Sequence, residues 1–161
     1  MMKKILLVAL FQFVCLLGMA QKHKIYDPSL DGQKQLTEAI ALAKQDGKHV
    51  FVQVGGNWCS WCIKFHKFVG GNETLKQILE DNYVVVKLNY SNDNKNEKAL
   101  AQLNYPQRFG YPSFVILDGN GNRLHTQDSG YLESGQGYDE AKVKRFFELW
   151  TPNALDPKHY Q

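Results

Sequence analysis

The decisive stretch of this sequence reads Gly55-Gly56-Asn57-Trp58-Cys59-Ser60-Trp61-Cys62, with two cysteines separated by two residues. It follows His49–Val54 (HVFVQV), an apolar and β-branched run that predicts a buried strand. A helical stretch that ends near Val69 comes directly after it. Cys59 therefore lies at the N-terminus of a predicted helix. Free backbone amides and the helix dipole stabilise a thiolate more than a thiol at such a position.

A pair of cysteines at this spacing is typical of several kinds of site. A c-type haem attachment needs a histidine directly after the second cysteine, and Ile63 excludes it. A structural zinc site usually needs four ligands, so zinc or copper bound by Cys59, Cys62 and His66 would require a donated ligand. A purely structural disulfide is a weak alternative, because so short a loop constrains the unfolded chain least. The strand-to-helix context favours a redox-active dithiol.

The N-terminal segment 1–20 has the layout of a secretory signal peptide. Lys3 and Lys4 form a short basic start, an apolar run follows from Ile5 to Ala20, and small residues lie at both cleavage-determining positions. The run is somewhat shorter than the roughly 20 residues that span a bilayer, so an uncleaved anchor is the alternative. We expect cleavage near Ala20 and a periplasmic or secreted protein.

The composition is that of one globular domain. The 161 residues are 43% hydrophobic, 12% aromatic and 22% charged, which excludes a disordered chain, a collagen-like repeat and a coiled coil. Without Lys3 and Lys4, 17 of the 19 basic residues remain against 16 acidic ones. A nearly neutral domain gives no electrostatic reason to expect binding to nucleic acid.

Apolar periodicity and turn residues predict alternating helices and strands after a polar N-terminal arm at residues 21–31. Besides the strand and the helix that flank the cysteines, we expect helices at Gly32–Asp46, from Asn72 through Leu79, at about Glu97–Asn104 and at Ala141–Trp150. Further strands are expected at Tyr83–Asn89, Ser113–Leu117 and Asn122–Thr126, with a hairpin at Asp118–Gly121 and a loop at Gly130–Gly137. This order predicts an α/β domain over residues 32–161, with a central mixed sheet flanked by helices.

Three stretches together resemble the thioredoxin superfamily, namely VFVQV at 50–54, WCSWC at 58–62 and YPSFV at 111–115. The similarity runs from Gly32 to Trp150. It is closest to exported thioredoxin-like thiol–disulfide oxidoreductases and to the C-terminal domain of the bacterial thiol–disulfide interchange protein. The resemblance implies a thioredoxin fold and an enzyme that exchanges thiols and disulfides. It also implies that Cys59 is the exposed attacking cysteine and that Cys62 resolves the intermediate.

The same resemblance assigns residues to substrate binding. Pro112 is expected in the cis form, facing the dithiol, and Tyr111 offers its backbone to a substrate strand. Apart from the resemblance, the sequence offers an apolar rim on which a partner could dock, although two or more of these aromatic residues can equally be packed in the core: Trp58, Trp61, Phe109 and Tyr111. No cofactor is expected, because the electrons reside in the dithiol. The expected partners are protein thiols or disulfides and a membrane redox protein, and the expected state is a monomer.

The sequence departs from the thioredoxin pattern at the residue expected to modulate the site. Thioredoxins usually carry a buried carboxylate six residues before the first cysteine, and this chain has Gln53 there. An amide forms hydrogen bonds but cannot accept the proton of Cys62. The residues between the cysteines are Ser60 and Trp61 rather than Gly and Pro. The substrate and the direction of the reaction stay open, as does a metal-binding or chaperone module that uses Cys59, Cys62 and His66.

Overall fold

The fold is taken from a computed structural model that describes residues 24–161. The predicted signal peptide and its cleavage near Ala20 lie outside the described residues. None of the helices in residues 24–161 has the length and the apolar character needed to cross a bilayer.

The described residues contain α-helices, strands and short 3₁₀ turns. The helices are α1 Gly32–Asp46, α2 Ser60–Gly70, α3 Glu73–Asn82, α4 Glu97–Gln102 and α5 Glu140–Leu149. The strands are β1 His49–Gly55, β2 Tyr83–Asn89, β3 Ser113–Leu117, β4 Arg123–Asp128, β5 Glu133–Ser134 and β6 Gly137–Tyr138. The 3₁₀ turns are Pro106–Phe109, Ser129–Leu132, Asn153–Leu155 and Pro157–Tyr160.

The main sheet has the strand order β2-β1-β3-β4. β1 and β2 are parallel, whereas β3 is antiparallel to both β1 and β4. Every residue of β1 is buried, because the strand lies inside the sheet and both faces of the sheet are covered. The predicted α/β domain with a mixed sheet is confirmed.

The sheet separates two apolar cores. Val50, Val52 and Val54 face an aliphatic core that includes residues of α1 and α4. Phe51 faces an aromatic core on the opposite side, because successive side chains of a strand point to opposite faces. Its ring lies 5.5 Å from that of Phe114 and 5.5 Å from that of Phe147 on α5. Gln53 points to the same side as Phe51, toward α2.

Polar side chains fix where the helices begin. Asp31 accepts a hydrogen bond from the Lys34 amide at the start of α1, and Asn72 accepts one from the Leu75 amide at the start of α3. Each satisfies a backbone donor that has no partner within the helix. Gly47 ends α1 in the left-handed region at φ 65°, a conformation that glycine adopts without steric cost.

The region predicted as a glycine-rich loop is more ordered than expected. Residues 129–132 form a 3₁₀ turn, and β5 and β6 pair as a short hairpin. The order comes from Tyr138, whose ring lies 5.0 Å from Phe65 and 5.5 Å from Trp61. The hairpin therefore packs against α2 beside the cysteines. β4 also extends to Asp128, two residues past its predicted end, because it continues to pair with β3 as far as Ser113.

Candidate active site

Cys59 and Cys62 form a disulfide at the N-terminus of α2. Cys59 is the N-cap residue, and its Sγ accepts a hydrogen bond of 3.1 Å from the backbone N–H of Cys62. A negatively charged sulfur at this position gains more from that bond and from the helix dipole than a neutral thiol does. The geometry can therefore lower the pKa of the Cys59 thiol in the reduced protein.

The two cysteines differ in exposure, but by less than expected. Cys59 retains 5% of its surface and Cys62 retains none. Cys59 was expected to be exposed, and the structure places it almost completely inside. It is covered because Tyr26 and Tyr111 pack beside the disulfide together with Trp61.

The peptide bond between Tyr111 and Pro112 is cis, and Pro112 is buried directly before β3. The ring of Tyr111 stacks on that of Tyr90 at 5.3 Å and meets the edge of Trp58 at 5.1 Å. Burial, together with the neighbouring Tyr90, raises the pKa of Tyr111, so its hydroxyl stays protonated.

The two tryptophans near the cysteines have different surroundings. Trp58 is 57% exposed and is held by a 2.7 Å hydrogen bond from its Nε1 to the carbonyl oxygen of Tyr90. Trp61 is partly buried against Tyr138, and the ammonium of Lys64 lies 4.3 Å from the centre of its ring. Trp58 and Tyr111 thus form one continuous aromatic surface, whereas Trp61 is largely packed.

Gln53 lies directly beneath the disulfide and has no exposed surface. Its Nε2 donates to the hydroxyl of Tyr26 at 2.7 Å and to the carbonyl oxygen of Cys62 at 3.2 Å. Its Oε1 accepts a hydrogen bond from the Nζ of Lys87. The side chain predicted to modulate the site therefore contacts the residue expected to resolve the intermediate.

Tyr26 is a residue that sequence reasoning missed. It comes from the segment predicted as a polar arm, yet only 2% of its surface is exposed. Burial is the main cause of its raised pKa. A polar stretch of eleven residues with one tyrosine carries no periodic signal, so nothing in the sequence placed this ring beside the cysteines.

Gly55 and Gly56 leave room for the residues around the disulfide. A Cβ on Gly55 would overlap the sulfur of Cys62 and would lie 2.8 Å from the hydroxyl oxygen of Tyr26. A Cβ on Gly56 would overlap the indole of Trp58 and would lie 2.7 Å from the carbonyl oxygen of Tyr90. Both glycines therefore permit close packing at the site.

Lys87 is the second residue that sequence reasoning missed. It pairs with Gln53 in the parallel register of β1 and β2, so the two side chains point to the same face. Desolvation by burial lowers its pKa from 10.5 to about 8. A signal was present in the sequence, because Lys87 is the one charged residue in YVVVKLN, a run that predicts a buried strand.

The arrangement gives little support to a metal site on Cys59, Cys62 and His66. Residues 24–161 include no group of three or more His, Cys, Asp and Glu side chains placed to hold a metal ion. His66 instead lines a side cavity of about 270 Å³ together with Phe65 and Lys87.

Residues 31–119, just over half of the chain, match the model of a family described as thioredoxin-like. This chain belongs to the thioredoxin-like family. Solved structures agree with the fold, since a disulphide isomerase from Xylella fastidiosa Temecula1 superposes with a TM-score of 0.69. The two share 24% identity, and the match covers 78% of this chain and 95% of that one.

Two characterised relatives carry names from thiol–disulfide chemistry. The thiol:disulfide interchange protein DsbD of Salmonella typhi is 31% identical over 101 residues, which are 62% of this chain and 17% of DsbD. The disulfide bond reductase DsbH of Chlamydia pneumoniae is 26% identical over 121 residues, or 70% of each chain. This chain thus spans less than a fifth of DsbD. The prediction of a thioredoxin fold is confirmed, and both relatives are named for thiol–disulfide exchange.

Proposed function

We propose that this protein is an exported thiol–disulfide oxidoreductase that reduces protein disulfides through Cys59 and Cys62. The observation that carries the proposal is the hydrogen bond from the Cys62 amide to the Cys59 sulfur at the start of α2. It favours a thiolate at Cys59, which is also the cysteine with some exposed surface. Cys59 is therefore the attacking residue, and the fully buried Cys62 is the resolving one.

The cycle begins when the Cys59 thiolate attacks one sulfur of a substrate disulfide. A bond forms between Cys59 and that sulfur, and the other substrate sulfur leaves as a thiolate. Cys62 then loses its proton and attacks the Cys59 sulfur, which forms the Cys59–Cys62 disulfide and releases the second substrate sulfur. Two electrons pass to the substrate, and the two released thiolates take up two protons. The dithiol holds these electrons itself, so no cofactor is required.

The substrate binds over the aromatic surface beside the disulfide. Trp58 and Tyr111 present rings there, and Trp61 supports the surface from its packed position. The backbone at Tyr111 and Pro112 is offered to an extended substrate segment, as in the proteins that the sequence resembles. Because these contacts use rings and main chain rather than charges, they suit apolar stretches of many protein substrates.

Export follows from the signal peptide predicted at residues 1–20, and the working compartment is the periplasm or the exterior of the cell. Disulfides persist in such compartments, so a reductase there must be reduced again after each cycle. We assign this step to the dithiol of a membrane redox protein, which becomes oxidised in turn. We assign the monomer as the working unit, since the Cys59–Cys62 disulfide closes within one chain.

The proposal is tested with reduced protein and a disulfide-linked protein substrate such as insulin. We expect the wild-type protein to cleave the substrate disulfide and to finish as the Cys59–Cys62 disulfide, while Cys59→Ser shows no turnover. Trapping with an alkylating reagent in intact cells then gives the direction, since a reductase is found mainly as the dithiol. A wild-type protein that leaves the insulin disulfides intact contradicts the proposal.

The alternative metal-binding module is tested on the same material. Reduced protein purified without chelator is analysed for zinc and copper, alongside His66→Ala. We expect far less than one metal ion per protein molecule in both proteins. Stoichiometric metal that is lost on the histidine substitution would replace the oxidoreductase by a metal-binding function.

A further inference from the structure

Three polar side chains form a chain of hydrogen bonds beneath the disulfide. The Nζ of Lys87 donates to the Oε1 of Gln53, and the Nε2 of Gln53 donates to the hydroxyl oxygen of Tyr26 at 2.7 Å. Both hydrogens point in the same direction, away from Lys87 and toward Tyr26. Hydrogen bonds aligned in this way polarise one another, so the positive charge of Lys87 strengthens the last donor of the chain.

The last donor of this chain is the hydroxyl of Tyr26. Its oxygen accepts from Gln53, so the hydroxyl retains its own hydrogen for donation. The hydroxyl and the sulfur of Cys62 are neighbours on the same side of Gly55, since a single methyl group at Gly55 would collide with both. Tyr26 also packs in one apolar cluster with Cys59 and Cys62.

No carboxylate of residues 24–161 forms an ion pair with Lys87. The ion pairs between residues 24–161 join other lysines to glutamates, and none of them includes Lys87. Glu80, which lines the same side cavity, lies 3.9 Å from Lys76. The electric field of the Lys87 ammonium therefore acts on the site without neutralisation by a paired carboxylate of residues 24–161. A cation of this kind favours a negative charge at the nearest group that can carry one.

We propose that Tyr26 is a positioning residue that donates its hydroxyl hydrogen to the Cys62 sulfur and stabilises the thiolate form, supported by Gln53 and Lys87. The inference rests on the proposed function, because it assigns the resolving step to Cys62. In this step the Cys62 thiolate attacks Cys59, the bond between Cys59 and the substrate breaks, and the substrate sulfur leaves with the electron pair. The proton that Cys62 lost passes to solvent or to the leaving sulfur. Tyr26 keeps its own proton and is not a base.

The test compares Tyr26→Phe with Tyr83→Phe. Both substitutions remove the hydroxyl of a buried tyrosine, but Tyr83 donates to the carbonyl oxygen of Phe147, away from the cysteines. The pKa of Cys62 is measured from the ultraviolet absorbance of the thiolate in proteins that also carry Cys59→Ser. A hydrogen bond to a charged group supports an expected rise of about one pKa unit in Tyr26→Phe. Tyr83→Phe leaves the pKa of Cys62 unchanged.

The second measurement is the rate at which Cys62 releases a fluorescent thiol from Cys59. At about pH 7 we expect release to be about tenfold slower in Tyr26→Phe, because fewer molecules carry the Cys62 thiolate. Lys87→Met slows release in the same direction, and Lys87→Arg restores part of the rate since it keeps the charge. An unchanged Cys62 pKa and an unchanged rate in Tyr26→Phe overturn the inference. Failure of the wild-type protein to exchange disulfides would instead reject the proposed function, whatever the pKa of Cys62.

Discussion

The side chain of Asn57 binds both the N–H and the carbonyl oxygen of Tyr26, although 31 residues separate them in the sequence. Its Oδ1 accepts from the Tyr26 N–H at 3.1 Å, and its Nδ2 donates to the Tyr26 carbonyl oxygen at 2.7 Å. The side-chain amide thus makes the pair of hydrogen bonds that the backbone of a neighbouring strand would make. The same oxygen also accepts from the N–H of Ile25 at 2.8 Å. The segment before α1 is therefore bound to the loop that leads into Cys59 and α2.

Asn57→Ala is expected to release Tyr26 from the disulfide. The backbone groups of Ile25 and Tyr26 lose their partners, and each unsatisfied group costs about 1–3 kcal/mol unless water reaches it. We expect a lower free energy of unfolding, measured with urea, and faster alkylation of Cys62 in the reduced protein. Asn57→Asp keeps the acceptor but loses the donor, so its effect is smaller.

Asn72→Ala is the matched control for this prediction. It removes the N-cap of α3, which costs about 1 kcal/mol, without touching the segment that holds Tyr26. Its Cys62 stays protected from alkylation although the protein is less stable. Equal alkylation of Cys62 in Asn72→Ala and Asn57→Ala would mean that lower stability alone exposes the cysteine.

The elements around the site were largely predictable from the sequence, because periodicity and turn residues report on local structure. The predicted bounds of Tyr83–Asn89 and Ser113–Leu117 match β2 and β3, since Asn82 precedes the first apolar run and Asp118 follows the second. The predicted helix Gly32–Asp46 matches α1 because Asp31 and Gly47 mark its ends. Cys59 was placed at a helix N-terminus by the same reasoning.

The contacts that connect distant segments were not predictable in this way. The position of Tyr26 depends on Asn57 and on the space left by Gly55, and neither interaction has a periodic signature. The contact between Lys87 and Gln53 depends on the register of β1 against β2, which a single sequence does not specify. Sequence patterns report which face of a strand is buried but not which strand lies beside it.

The two cysteines are expected to differ in reactivity. Cys59 accepts an amide hydrogen bond at the N-terminus of α2, so it should be alkylated at a pH well below that of an ordinary thiol. Cys62 has no exposed surface and should resist alkylation. Cys62→Ser should accumulate mixed disulfides with substrates, and Cys59→Ser should accumulate almost none. Mass spectrometry of partly alkylated protein measures the difference, and equal labelling of both cysteines would reject the assignment.

Lys87 is expected to make stability depend on pH in alkaline solution. Its pKa is lowered by burial from 10.5 to about 8, so between these values the unfolded chain binds a proton that the folded protein does not. The free energy of unfolding therefore rises with pH in this window, by up to about 3 kcal/mol. Below about pH 8 the folded protein bears the full free-energy cost of burying the charged ammonium of Lys87. Tyr26 keeps its proton here, because its pKa is raised.

Lys87→Met removes this dependence. The free energy of unfolding is measured with urea at about pH 7 and at about pH 9.5. We expect it to rise between these two pH values in the wild-type protein and to rise less in Lys87→Met. His66, Lys76 and Glu80 line the same cavity and are present in both proteins, so the difference between the proteins isolates Lys87. Lys48→Met serves as the control for loss of a lysine, because Lys48 is bound at the surface to the carbonyl oxygen of Glu80. A wild-type curve parallel to that of Lys87→Met would show that Lys87 does not titrate in this range.

Gln53→Glu places a carboxylate beside Lys87 and beneath Cys62. The new group can accept the proton of Cys62, which the amide cannot, and the neighbouring ammonium keeps it ionised. At about pH 6, where few Cys62 thiols are ionised, release of a fluorescent thiol from Cys59 should be at least tenfold faster than in the wild-type protein. A positioned base typically contributes 10²–10⁴-fold, so part of that effect is measurable.

The opposite result is expected for the same variant at about pH 8. There the carboxylate repels the Cys62 thiolate and competes with it for the hydroxyl hydrogen of Tyr26, so release should be slower than in the wild-type protein. The pH profile of Gln53→Glu is therefore flatter, and the two profiles cross. The measurement is stopped-flow fluorescence between about pH 5 and pH 8, with Tyr83→Phe as the control for a change in the buried core. If the two proteins release the thiol at the same rate throughout, removal of the Cys62 proton does not limit resolution, and Gln53 serves only to pack beneath the disulfide.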